Sequence, residues 1–231
     1  MLLKRLKLTN FRNIEHFEED FNTLKIIILG QNAQGKSNIL EAVNILAKSS
    51  SDRALRDNEL INFNKEFALI NSDIKTSDDD IEISLQINTT GRRKLKINGV
   101  SKKAPQADLI GNFFTVMFAA DDLYLIKGSP SLRRKWLDSN LTQLSKIYHN
   151  HFATYQKSIT QKNALLKSAF ESGMSRKSLQ EQLSIWNKQI IEYGAEILLQ
   201  RVDYVNKIES FAKQFLNDMS SGNETLQLNY F

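Results

Sequence analysis

The run Gly30-Gln31-Asn32-Ala33-Gln34-Gly35-Lys36-Ser37 constrains this chain more tightly than any other segment. Its spacing fits G-x-x-x-x-G-K-[ST], a phosphate-binding loop that works only between a strand and a helix. Both flanks suit that role. Ile26-Ile27-Ile28-Leu29 reads as a short β-branched strand buried on both faces. From Ser37 to about Lys48, Ile39, Leu40, Val43 and Leu46 recur at helical spacing. The glycines permit a tight turn whose successive N–H groups point inward and form an anion site. The helix N-terminus adds partial positive charge to it. In such a loop Lys36 reaches the β- and γ-phosphates, and the Ser37 hydroxyl ligates Mg²⁺. The chain is therefore expected to bind a nucleoside triphosphate.

Composition narrows the setting. A length of 231 residues with 41% hydrophobic content allows one large domain or two lobes with a real core. There is no cysteine, which excludes disulfides and thiolate metal sites and suits a reducing compartment. Met1-Leu2-Leu3-Lys4-Arg5-Leu6 is not followed by the apolar stretch of a signal peptide, and no apolar run reaches membrane-spanning length. A soluble cytoplasmic protein is expected. The net charge of +5 is unevenly spread: residues 1–125 hold 17 basic and 17 acidic side chains, and residues 126–231 hold 14 and 9. Such an excess suits a polyanionic partner, and equally a solvated lysine-rich helical surface.

Along the first half, Leu6 and Leu8 alternate with Lys7 and Thr9 as in a half-buried strand. Phe17 and Phe21 flank the approach to the 24–29 strand. Further strands are predicted at 67–74, 81–88 and 92–97, with turns at Thr89-Thr90-Gly91 and Asn98-Gly99. A last apolar run, Phe113 to Phe118, ends this half. Ser129-Pro130 then opens a helix, with serine as N-cap and proline in the first turn. Apolar residues from Leu132 to Ile159, and again from Leu179 to Phe215, recur every three or four positions on either side of Glu171-Ser172-Gly173-Met174-Ser175. Two long helices in an antiparallel hairpin that needs a partner surface are predicted. Leu226 to Phe231 alternates like the start of a strand.

Hydrolysis needs more than this loop: a carboxylate after an apolar strand to hold the Mg²⁺ water shell, and a group that orients the attacking water. Val116 to Ala120 followed by Asp121-Asp122 imitates such a strand, but its irregular apolar run reads better as a strand end or the turn before Leu123. Ser220-Ser221-Gly222-Asn223-Glu224 imitates the signature of ABC ATPases, but no helix-forming segment follows it. His149 and His151 do not share a helix face, which argues against a metal pair.

Several segments together resemble one family. Leu6-Lys7-Leu8-Thr9-Asn10-Phe11-Arg12-Asn13 resembles the opening of RecF and of the wider SMC-like ABC ATPases, as does Gly30 to Asn38 with Leu40-Glu41-Ala42. Asp121-Asp122-Leu123, Lys127-Gly128-Ser129-Pro130 with Arg133-Arg134, and Leu137-Asp138 resemble a stretch peculiar to RecF. Gln161 to Lys167, and Tyr193-Gly194-Ala195 with Arg201, resemble its helical lobe. Where this family usually has proline and glutamate, the chain has Ala120 and Asp121.

The resemblance implies an α/β P-loop NTPase head of ABC/SMC type, its mixed sheet including antiparallel strands, carrying a helical second lobe. The lobes would span residues 1–126 and 127–222, with 223–231 starting a return to the head. It implies ATP and Mg²⁺ as cofactors, and ATP-dependent binding of single-stranded or gapped DNA in recombinational repair and replication restart. It implies partnership with RecO and RecR, an ATP-dependent homodimer and a link to the SOS response. Gly30, Gln31, Asn32, Ala33, Gln34, Gly35, Lys36, Ser37 and Asn38 would form the nucleotide site, with Arg12 and Asn13 near the base or α-phosphate. Arg53, Arg133 and Arg134 are candidates for phosphate, DNA or interface contacts. In this family the signature motif and the Walker B acids come from a C-terminal segment that the chain does not match. It is therefore expected to correspond to the front of a RecF, with weak or absent nucleotide binding, no detectable hydrolysis, an open sheet edge and an uncovered apolar face. Another SMC-like ATPase and a small-molecule P-loop kinase are the alternative readings. The helical hairpin and missing lid argue against the kinase.

Overall fold

Alternating apolar and polar side chains build the first unit. Leu6 and Leu8 of β1 (Leu2–Phe11) are fully buried on one face of a six-stranded sheet. So are Ala68 and Ile70 of β3 (Phe67–Lys75) and Ile83, Leu85 and Ile87 of β4 (Asp80–Asn88), with Leu95 of β5 (Arg93–Ile97) beside them. With β2 (Ile14–Asp20) and β6 (Val100–Lys102) the order is β2-β1-β3-β4-β5-β6, and every pairing is antiparallel. The predicted turns close the ladder: Asn98 and Gly99 both take positive φ, the geometry of a tight hairpin, and Gly91 N–H donates to the Asn88 carbonyl. The computed structural model describes residues 1–77 and 79–230, without the side chains of Ala120 and Asp121.

Helix α1 (Lys36–Lys48) lays Ile39, Ala42, Ile45 and Leu46 on this buried face. Each large apolar side chain so buried contributes about 1.5–3 kcal/mol. The expected stripe is rotated: Leu40 is exposed, and Ala42 and Ile45 take its place.

The strand expected at 24–29 does not form. Residues 24–30 join no ladder, and Leu24, Ile27 and Leu29 are more than four-fifths exposed. A strand needs a neighbour to satisfy its N–H and C=O groups, and neither sheet edge, β2 or β6, pairs with this segment. The run 113–118 is likewise outside any strand, with Val116 and Phe118 exposed. Strand β2, unrecognised in the sequence, instead occupies 14–20.

The units are Met1–Leu123 and Tyr124–Phe231. In the second, a short α3 (Tyr124–Lys127, after α2 at Pro105–Leu109) precedes α4 (Pro130–Leu144), α5 (Lys146–Ser172) and α6 (Arg176–Ser220). The first long helix expected there is broken at Ser145. Its backbone is extended, and its hydroxyl caps α5 by accepting from Tyr148 N–H. Gly173, in the left-handed region, ends α5, and Ser175 caps α6, so α5 and α6 form the predicted hairpin.

Its small core joins Leu141, Tyr148 and Ile197 to Phe152, Tyr155 and Tyr204. At its centre the Asp138 carboxylate accepts two bonds from Arg201, both 2.8 Å, and one from the Tyr148 hydroxyl at 2.5 Å. Burial, then the Asp138 hydrogen bond and charge, push Tyr148 above its ordinary value. Burial alone would lower Arg201, but Tyr230 and Asp138 hold it above its usual range. The tail expected to return to the head instead belongs to this unit: Leu228 N–H donates to Glu209, and Arg201 donates to the Tyr230 hydroxyl at 3.0 Å. Phe231, the last residue of that expectation, lies outside the described residues. No helix among the described residues is long and apolar enough to cross a membrane.

Candidate functional site

The loop between residue 30 and α1 takes the backbone its sequence requires. Gly30, Ala33 and Gly35 all have positive φ, and Gly35, at +93°, directly precedes the helix. A side chain at Gly35 is also excluded by space, because a Cβ there would meet Asn13 Oδ1 at 2.8 Å and Ile14 Cγ1 at 3.1 Å. Asn32, Ala33, Gln34, Gly35, Lys36, Ser37, Asn38 and Arg53 together line a concavity of about 300 Å³. The N-terminus of α1 borders it: Lys36, Ser37 and Asn38 are among the lining residues, while the Asn38 and Ile39 N–H groups donate to the Gly35 carbonyl.

Lys36 curls back over the loop. Its ammonium donates to the carbonyls of Gly30 at 2.7 Å and Gln31 at 2.6 Å. The Ser37 side chain is exposed at the helix start, which suits a hydroxyl that ligates a hard cation. Asn13 braces the loop from the β1–β2 turn, donating to the Ala33 carbonyl at 2.8 Å and accepting from Asn38 Nδ2 at 2.8 Å. Arg53 donates to Asn38 Oδ1 at 3.1 Å and so reaches the rim of the concavity.

Arg12 does not line the concavity. Held at φ +53° and anchored by its N–H to the Leu60 carbonyl, it turns inward. Its guanidinium forks onto Glu41 at 3.1 and 2.6 Å and reaches the Glu59 carbonyl at 2.9 Å. Glu41, 3% exposed, is the hub that sequence reading left without a role. It also accepts from Ser51 Oγ at 2.5 Å and from Arg53 at 3.5 Å. One sequence signal pointed to it: a carboxylate among apolar residues on the buried side of an amphipathic helix needs a cation.

The remaining candidates lie elsewhere. Arg133, in the first turn of α4, donates to the carbonyls of Leu125, Ile126 and Gly128, so its partner is the carbonyl-rich end of α3. Arg134 is exposed. Asp122 accepts from Ala119 N–H inside a 3₁₀ turn at Ala120–Leu123, as a turn-forming acid does. The side chain of Asp121 lies outside the described residues. Ser221 ends α6 in the left-handed region, so the signature-like segment sits at a helix C-terminus. The described residues include no cluster of three or more histidine, cysteine or acidic side chains able to hold a metal.

Known proteins match the whole of this arrangement. The family model described as AAA ATPase domain matches residues 1–221. The DNA replication and repair protein RecF of Bacillus mycoides is 36% identical over 230 residues, covering 100% of this chain and 60% of that protein. The RecF of Synechocystis is 37% identical over 234 residues, covering 100% and 61%. Among solved structures, the recombination mediator protein RecF with ATPrS in the RecFOR pathway superposes with a TM-score of 0.91 at 32% identity, over 100% of this chain and 60% of that one. RecF with ATP gives 0.89 at 33%, over 99% and 60%. The chain thus spans about three fifths of the length of the curated relatives it matches.

Proposed function

This chain belongs to the AAA ATPase domain family, and from that premise we propose that it is a nucleotide-dependent DNA-binding module of recombinational repair and replication restart. One observation carries the reading. The loop from Gly30 to Asn38 has the left-handed backbone, helix N-terminus and lysine of a triphosphate cradle, in a chain similar throughout to RecF.

The residues fit ATP with Mg²⁺. The backbone N–H groups before and within the first turn of α1 bind phosphate oxygens, and Lys36 exchanges its carbonyl partners for them. The Ser37 hydroxyl would hold the Mg²⁺, which would supply neutralisation of phosphate charge. Asn13 and Asn38 keep the loop in shape from behind, and Arg53 offers a second cation at the rim. Arg12 acts through Glu41, keeping α1 and the Arg53 loop in register. Nucleotide binding then supports an ATP-dependent homodimer on single-stranded or gapped DNA, working with RecO and RecR as part of the cytoplasmic SOS response.

The test is DNA binding across a salt series with and without Mg-ATP, alongside Lys36→Ala. Weak, saturable ATP binding that tightens DNA binding, and its loss in Lys36→Ala, is the expected result. A folded protein whose DNA binding ignores both ATP and the substitution overturns the nucleotide-dependent reading.

A further inference from the structure

Charge in the first unit sums to near zero, yet the sheet separates it across its width. One edge, β2, carries Glu15, Glu18, Glu19 and Asp20 and no lysine or arginine. At the other edge, the stretch between Glu82 and Asp108 holds six basic residues and no acid. The pairing register sorts those six. Arg93 is consumed within the fold: it forks onto Asp57 at 2.7 and 2.6 Å and donates to the Ser49 carbonyl at 2.6 Å. Lys102 is half-buried opposite Leu95. The other four, Arg92, Lys94, Lys96 and Lys103, are exposed and have no ion-pair partner among the described residues.

Lys94 and Lys96 stand on the face opposite the core, two positions apart, which sets them about 6.8 Å from each other. That interval is about the axial rise of two phosphates on one strand of a duplex. Their cross-strand neighbours are Gln86 beside Lys94, and Ser84 and Ser101 beside Lys96. These side chains hydrogen-bond phosphate but add no opposing charge. No aromatic ring lies in those rows to stack on a base.

We propose that the exposed face of the β5–β6 hairpin, through Arg92, Lys94, Lys96 and Lys103, docks the phosphate backbone of a nucleic acid without reading its sequence. The proposal rests on the DNA-binding reading above and names the surface. The acidic β2 edge of a second copy is a poorer occupant, because Glu18 is already bound by Arg5 and Lys7 and Asp20 by Arg5. The sorting also overrides the crude distribution of charge, which favours the helical unit.

The experiment measures binding of the full chain, with Mg-ATP present, to a short mixed-sequence fluorescent DNA duplex, and to one of its strands, as salt is raised. One variant carries Lys94→Ala, Lys96→Ala and Lys103→Ala; another carries Lys157→Ala and Lys188→Ala, exposed on α5 and α6. Circular dichroism and sedimentation check fold and association. Each lost phosphate contact removes about 0.7–0.9 from the slope of log affinity against log salt. The hairpin variant should therefore lose about 2–3 from that slope and at least about tenfold in affinity near 0.1 M salt. The helical variant should keep the wild-type slope. An unchanged slope in the hairpin variant, with wild-type binding intact, overturns this surface and leaves the DNA reading standing. No wild-type binding to either DNA overturns both. A hairpin variant altered only in self-association assigns the face to a second copy and refutes the proposal.

Discussion

Replacing Glu41 by alanine removes the one anion that holds Arg12 among the described residues, and that loss can be sized from the structure. Glu41 is 3% exposed, while the side chains of its cationic partners Arg12 and Arg53 are 20% and 49% exposed. Breaking a buried pair by deleting one member costs about 3–5 kcal/mol, because the other charge is left uncompensated. Solvent reaches Arg12 and bathes Arg53, which places the expected cost at the lower end, about 3 kcal/mol. Ser51 keeps its role as acceptor from the Arg53 and Ala54 N–H groups, so its loss adds little. At about 4 °C per kcal/mol, where the ranges for smaller and larger domains meet, the transition of the first unit should fall by about 12 °C. The probe matters: both tryptophans and all six tyrosines lie at or beyond Tyr124. Intrinsic fluorescence therefore reports the helical unit, and the loss must be read by far-ultraviolet circular dichroism or by hydrogen exchange in residues 1–123. A cycle with Arg12→Ala should show about 2 kcal/mol of coupling. A cost for Glu41→Ala below about 1 kcal/mol, the value of an exposed pair, or strict additivity with Arg12→Ala, would refute the hub.

Gly35→Ala must place a methyl against Asn13 and Ile14 at φ +93°; we expect loss of nucleotide binding with the helical unit's fluorescence transition unmoved, and retained binding would sink the steric argument. Glu18 is drawn from an ordinary 4.5 to about 2 by its hydrogen bonds from Arg5 and Lys7, followed by their charges. Because the folded value is depressed, its stabilisation is present above about pH 4.5 and lost as pH falls towards 2. The melting difference between wild type and Glu18→Gln should close over that window; a gap that persists near pH 2 contradicts it. Tyr148→Phe removes the hydroxyl donor to Asp138, for about 2 kcal/mol seen in tryptophan fluorescence, and an unshifted transition would mean the bond is energetically silent.

Local chemistry made part of this protein legible in advance. The left-handed turn from Gly30 to Gly35, helix α1, strands β3 to β5, both hairpin turns and the Gly173 break between α5 and α6 follow from spacing, alternation and left-handed residues. Each of these depends on neighbours within a few positions, so a linear reading suffices. The failures share an opposite cause. Ile26 to Leu29 has every property of a strand, but a ladder needs a second chain segment beside it, and none of the six strands supplies one. The break at Ser145 competes with an apolar repeat that runs straight through it. Glu41 meets Arg12 across 29 positions, and Asp138 meets Arg201 across 63. Nor does any count of basic residues tell which are paired, as Arg93 is, and which have no ion-pair partner among the described residues, as with Lys94 and Lys96. Sequence by itself determined that a glycine-rich loop of phosphate-binding pattern sits between an apolar run and a helix, and that a helical hairpin follows. Tertiary structure decided which charges neutralise one another, because that depends on distances in space between residues the chain keeps far apart.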